Sequence, residues 1–166
     1  MTEGACFVAI RLDPQSLIAG GEEEALNELL ADALSKGASC TRLKVKVPSH
    51  TPLMQPAAEA FAKVLASTTL RAPGGVLFAN ALPRVDNAVQ AAQALSSQIA
   101  QTVEWDACLQ ALEARRVSCV LEIGPGAALS AMWNRRHPET PARSIDEFRS
   151  AASIVNWVQR QGATSI

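Results

Sequence analysis

The chain has 166 residues, 48% of them apolar, and a formal net charge of −1 at pH 7, an ordinary length and composition for one globular domain with a real core. Near-neutral charge with scattered Lys and Arg gives no electrostatic footprint for nucleic acid, and no apolar run approaches the roughly 18 residues of a membrane span. The four cysteines, Cys6, Cys40, Cys108 and Cys119, have no paired CxxC spacing and no signal peptide beside them, so buried free thiols in a reducing, cytoplasmic compartment are expected.

In chain order, Cys6 to Leu12 and Ser16 to Ile18 read as short strands, closed by Gly20-Gly21. Glu22-Glu23-Glu24 then opens a helix, since carboxylates in a first turn complement its positive end. Ala25, Leu26, Leu29, Leu30, Ala33 and Leu34 keep the helical period, and Gly37 supplies the left-handed stop. A further strand is predicted from Thr41 to Val47, where apolar and polar residues alternate. The resulting β-β-α-β unit is incomplete as a ferredoxin-like sandwich. A missing strand and helix would leave its sheet edge and helix face uncovered.

Pro48 and Pro52 bracket the next turn and forbid regular pairing on either side. His50 therefore sits on a stiff turn before a helix that begins near Pro56, whose ring suits a first helical position. The predicted place, the carboxyl end of a strand, is where open α/β sheets put ligands and catalytic groups. Imidazole titrates near neutral pH, so His50 is a candidate general base, with a plain turn residue as the alternative.

Beyond it, a helix from Pro56 to Ser67 is expected to bury Phe61, Val64 and Leu65, and a short strand to run from Val76 to Phe78. Asp86 reads as the cap of a helix with the stripe Val89, Ala92, Leu95 and Ile99, and Trp105, Cys108, Leu109 and Leu112 mark another. Val117 to Ile123 reads as a central parallel strand covered on both faces. Helix, strand and helix near Ala127, Ala142 and Asp146 complete an α/β layer. Gly124-Pro125-Gly126 lacks a following Lys-Ser/Thr and reads as a tight connection rather than a phosphate cradle. Ser130 reads as a small packed residue, His137 as an exposed loop residue, and Trp105 and Trp157 as core. No metal site is expected.

The string Val-Pro-Ser-His-Thr-Pro-Leu-Met-Gln-Pro-Ala-Ala around His50 resembles the histidine motif of malonyl-CoA:acyl-carrier-protein transacylases. The resemblance continues in order. Ala94-Leu95-Ser96-Ser97-Gln98-Ile99 with Val103-Glu104-Trp105 is similar to that family's helix-and-Trp segment, and Val120-Leu121-Glu122-Ile123-Gly124-Pro125-Gly126 with Leu129-Ser130 to its Glu-Ile-Gly-Pro-Gly strand and turn. Upstream, Gln15 to Gly20 and the acidic helix resemble part of its small ferredoxin-like subdomain. The likeness spans roughly residues 5 to 135. Ala142 to Ser150, leading to Val155 and Trp157, is similar to the tail of the transacylase (epsilon) subunit of malonate decarboxylase, which charges a dedicated carrier protein.

The resemblance implies an α/β, partial acyltransferase fold: an incomplete ferredoxin-like subdomain over residues 1–50, then the carboxyl-terminal part of an α/β-hydrolase-like layer over 51–166. It implies malonyl transfer from coenzyme A to an acyl-carrier protein, with His50 as catalytic base, the Gln98 carbonyl orienting it, and Asn80 in the wall of the substrate pocket. A coenzyme A thioester would be substrate, with no tightly bound cofactor. The implied partners are malonyl-CoA and a carrier protein with its phosphopantetheine arm, and neither nucleic acid nor membrane.

The family's nucleophile lies in a Gly-His-Ser-x-Gly elbow, a strained turn that exposes the serine oxygen beside oxyanion donors. No Gly-x-Ser-x-Gly occurs in these residues, and no segment matches the one bearing the family's malonate-binding arginine. The chain therefore looks like the carboxyl-terminal portion of such an enzyme, inactive alone, with its serine supplied by an upstream or partner chain. Ser49 adjoins His50 and would point to the opposite face of an extended chain, and Ser130 has no flanking glycines, so neither reads as a substitute. The alternative is a non-catalytic carrier-binding or remnant domain.

Overall fold

A computed structural model describes residues 5–163, a mixture of helices and short strands. By their contacts the residues group into two compact units, one reaching to Ala111 and one beginning at Leu112.

In the first unit, β1 (Cys6–Asp13) and β2 (Ser16–Gly21) form an antiparallel hairpin that pairs Cys6 with Gly21 and Asp13 with Ser16. The glycine pair belongs to the strand rather than ending it. A Cβ on Gly21 would collide with the Ala5 carbonyl oxygen, so glycine is required by close backbone approach. The other edge of β1 takes β3 (Val103–Glu104) in parallel, which gives the order β2-β1-β3. Residues on both sides of position 50 thus share one sheet.

Helix α1 (Glu23–Ser35) follows and ends where Gly37 turns to φ +82, with Ala38 N–H donating to the Ala33 carbonyl. None of its residues is buried. The strand expected over 41–47 is absent. The stretch is irregular, with Leu43, Val45 and Val47 exposed. Its alternation is that of a strand, yet among the described residues no strand pairs with it.

After the short 3-10 turn Pro52–Met54 comes α2 (Gln55–Ala66), which packs on α3 (Ala88–Ser97); Ala58 and Leu65 of α2 and Ala94 of α3 are buried. Val64, Val89 and Leu95 are exposed at 58%, 79% and 37%, contrary to the expected stripes. Asn87, not Asp86, caps α3: its Oδ1 accepts from Gln90 N–H at 2.9 Å, and Gln90 Oε1 accepts in turn from Asp86 N–H at 2.7 Å. The expected strand at 76–78 is reduced to one bridge, Leu77 to Val85, because only those two residues face each other across the loop. Helix α4 (Trp105–Glu113) buries Leu109.

In the second unit, β4 (Val120–Glu122) and β5 (Ala142–Ser144) pair in parallel. Helix α5 (Ala128–Arg136) lies against both, and the chain runs through a 3-10 turn, Ile145–Glu147, into α6 (Ala151–Ala163). The long buried strand expected over 117–123 shrinks to three half-buried residues, and Ile123 is 80% exposed. Trp133, Ala142, Ser144 and Trp157 form the buried interior of this unit. Asn134 grips β5 with both side-chain atoms, Oδ1 accepting from Ala142 N–H and Nδ2 donating to its carbonyl. Among the described residues no helix is long and apolar enough to cross a membrane. The four cysteines are free and half-buried.

Candidate functional site

Helix α3 ends at Gln98, and the carbonyls of the last turn of any helix have no intrahelical donor. Here the Gln98 and Ile99 carbonyls are taken by one residue. His50 N–H donates to the Ile99 carbonyl at 2.9 Å, and His50 Nδ1 lies 2.6 Å from the Gln98 carbonyl oxygen. A carbonyl only accepts, so this contact assigns the proton to Nδ1 and leaves the Nε2 lone pair available.

The backbone that aims His50 is unusual. His50 has φ +64, a left-handed conformation uncommon for a residue with a Cβ. Surrounding bonds hold it there: Ser49 N–H donates to the Val47 carbonyl at 2.8 Å, and buried Thr51 donates through Oγ1 to the Pro48 carbonyl at 2.6 Å. Thr51 Cγ2 would lie only 3.1 Å from a Cβ on Gly20, so the turn rests directly on β2. Strain kept in place by several bonds is a recurrent mark of functional positions. Sequence reasoning missed Thr51 and Gly20. Their signal was a hydroxyl three residues after Pro48 and a glycine inside a strand.

The structure brings His50 and Gln98 together. Asn80 is bonded to neither: it lies half-buried after the Leu77 bridge, its Oδ1 3.9 Å from Cys108 Sγ. Burial, with the Glu104 carboxylate second, pushes the Cys108 thiol up, so it stays protonated and unreactive at neutral pH. No serine hydroxyl among the described residues bonds to His50. Ser130 is buried, donating through Oγ to the Ala127 carbonyl at 3.1 Å.

The Gly124-Pro125-Gly126 turn fills its helix end with the protein's own carboxylates. Glu122 accepts from Ser130 N–H at 2.8 Å and Leu129 N–H at 3.2 Å, and Asp146 accepts from Gly126 N–H at 2.7 Å. The Ser130 amide holds the Glu122 carboxyl below its ordinary range. Three amides of the turn and helix start are thus bonded to carboxylates, and the turn serves as a connection.

His137 differs from the exposed loop residue expected. It is 6% exposed, stacked on Trp133 at 4.4 Å, with Nδ1 3.8 Å from Glu139 and 3.9 Å from Glu113. His137 N–H continues the helical bonding to the Trp133 carbonyl, so the ring folds back on α5 instead of following Pro138 outward. Among the described residues no three His, Cys, Asp or Glu side chains are grouped to hold a metal ion.

No family model matches the chain. It is 32% identical over 141 residues to the malonyl CoA-acyl carrier protein transacylase of Mycobacterium bovis, covering 84% of this chain and 46% of that one. Among solved structures, FabD from Acinetobacter baumannii superposes with a TM-score of 0.86 at 28% identity, over 98% of this chain and 51% of that one. A malonyl-transacylase solved in complex with a type II polyketide synthase acyl-carrier protein superposes at 0.83, with 25% identity, over 96% and 51%. The chain spans about half the length of the relatives it matches, and its mixed α/β fold is that part of the FabD acyltransferase fold. Homologues and solved structures alike support one family for the chain, the malonyl-CoA:acyl-carrier-protein transacylases.

Proposed function

We propose that this chain serves malonyl transfer from coenzyme A to an acyl-carrier protein, as the base-bearing, carboxyl-terminal half of a transacylase of the malonate decarboxylase type. The observation that carries this reading is the 2.6 Å contact between His50 Nδ1 and the Gln98 carbonyl. It fixes the tautomer in which Nε2 can accept a proton, as the third member of a triad does for its histidine. Residues 1–50 belong to this reading as the incomplete ferredoxin-like subdomain, and Asn80 as pocket wall.

In the forward half-reaction a serine hydroxyl on the remaining half attacks the malonyl thioester. His50 Nε2 takes the serine proton as the oxygen–carbon bond forms, and gives it to the coenzyme A sulfur as the carbon–sulfur bond breaks. In the second half-reaction Nε2 takes the proton of the phosphopantetheine thiol as its sulfur bonds the acyl carbon, and returns that proton to the serine oxygen as the ester carbon–oxygen bond breaks. Because the residues contain no Gly-x-Ser-x-Gly, the chain by itself is inactive, and the reaction takes place in the cytoplasm with the missing half present. That absence also favours the second reading, a carrier-binding domain without catalysis.

An acyl-transfer assay from malonyl-CoA to a phosphopantetheine-bearing carrier separates them. Transfer should be absent with the chain alone and appear when the amino-terminal half of a relative is added. Carrier binding without transfer in the complemented mixture would select the binding-domain reading.

A further inference from the structure

We propose that the second unit carries a binding site for a small zwitterion of the amino-acid class, built around His137 and Arg116. The site is a cavity of about 270 Å³ whose lining includes Glu113, Arg116, Trp133, His137 and Glu139, all from the unit that begins at Leu112. It is smaller than the pockets that take drug-sized molecules, so its occupant has few heavy atoms. The Glu113 and Glu139 side chains are largely exposed, and a ligand reaches them from solvent.

The lining describes the occupant. His137 is buried, and its Nε2 has no hydrogen-bond partner, although buried polar atoms are rarely left so. Two acceptors stand beside Nδ1, Glu139 Oε1 at 3.8 Å and Glu113 Oε1 at 3.9 Å. They favour the proton on Nδ1, which makes Nε2 an acceptor that lacks a donor. Stacking on Trp133 at 4.4 Å holds the ring, and Trp133 Nε1 is itself anchored to the Thr140 carbonyl at 2.9 Å. Arg116 lines the same cavity, yet its guanidinium makes no ion pair among the described residues, with these two carboxylates included. Arg116 also has φ +50, a left-handed conformation that favours glycine, so an arginine is kept there against the preference of the backbone. Opposite charges that line one cavity without pairing suit a ligand that carries both. An ammonium supplies the donor that Nε2 lacks and the charge that Glu113 and Glu139 attract, and a carboxylate matches the forked donors of Arg116. A simple anion meets the two glutamates and a simple cation meets the guanidinium, so part of the lining repels either one alone.

The test uses the whole chain, with L-alanine as the zwitterion and acetate and methylammonium as its two halves. The chain has two histidines, so His137→Phe, which keeps a ring on Trp133, assigns the His137 imidazole magnetic resonances. Millimolar alanine should shift those resonances, and each half alone should bind at least about tenfold more weakly, as loss of one charge-assisted contact requires. Arg116→Gly, at a conformation glycine adopts freely, should unfold at an equal or higher denaturant midpoint, weaken alanine by at least about tenfold and leave methylammonium unchanged. Glu113→Gln with Glu139→Gln should weaken alanine and methylammonium together; if Arg116→Gly loses stability, this exposed pair decides instead. Unshifted His137 resonances at millimolar alanine, affinity for either half equal to that for alanine, or full alanine affinity in the substituted chains overturns the proposal. None of these readouts involves His50 or acyl transfer, so failure here leaves the proposed activity standing.

Discussion

His50 combines a left-handed backbone with a part-buried Nδ1 contact that leaves the Nε2 lone pair unprotonated. The first costs about 1 kcal/mol for a residue with a Cβ, and glycine would adopt it freely. His50→Gly should therefore be more stable than His50→Ala by roughly 0.5–1 kcal/mol in denaturant unfolding, provided φ stays near +64. Equal midpoints would mean that the turn relaxes and carries no strain. In an enzyme complemented with its missing half, His50→Ala should slow acyl transfer by roughly 10² to 10⁴, the usual contribution of a positioned base, with thioester binding nearly unchanged. Transfer at the wild-type rate would reduce His50 to a turn residue. The histidine was legible in the sequence because Pro48 and Pro52 isolate it on a turn. Its contact was not legible from pattern, since the group opposite is the Gln98 main-chain carbonyl, which every residue type supplies; only the resemblance pointed there.

At the scale of elements, sequence pattern located nearly every helix and misjudged what the helices bury. Charge and glycine signals bounded α1 well, yet a stripe such as Val89, Ala92, Leu95 and Ile99 marks a face without saying what covers it. In the fold the small Ala94 is the buried residue of α3 and Val89 stays outside. The strand at 41–47 failed for a related reason, because alternation expresses a capacity for pairing and pairing needs a second strand. Carboxylates decide more at the helix ends of the second unit. The Ser130 amide lowers the Glu122 carboxyl, and the Ser144 amide, then the Arg143 side chain, lower Glu147. A folded value below the unfolded one stabilises fully above the ordinary carboxylate range and loses that effect as pH falls through the folded value. The thermal midpoint should therefore fall on acidification below about pH 4.3, and Glu122→Gln should flatten that decline while lowering the midpoint at neutral pH. A Glu122→Gln protein with the wild-type profile would show that the helix end is capped without the charge.

Across the whole molecule, composition promised an ordinary core, and the sequence motifs promised an acyltransferase fold of which only part is present. The fold matches, over about half the length of its relatives, and the consequence of that half appears at the surface of the first unit. Leu29 and Leu34 on α1, Val64 on α2, and Val89 and Leu95 on α3 are all more than a third exposed. Separate exposed apolar residues are normal for a protein surface; several on the packed pair α2 and α3, with more on α1, are what an interface presents. The chain without a partner should therefore bind an apolar dye and sediment as concentration-dependent oligomers through these helix faces. Val64→Lys with Val89→Lys should suppress the association with little loss of stability, since neither side chain is buried. Adding the missing half should suppress it in the unsubstituted chain. A clean monomer at high concentration, without dye binding, would mean that these faces need no cover, and would count against reading the chain as one part of a larger acyltransferase.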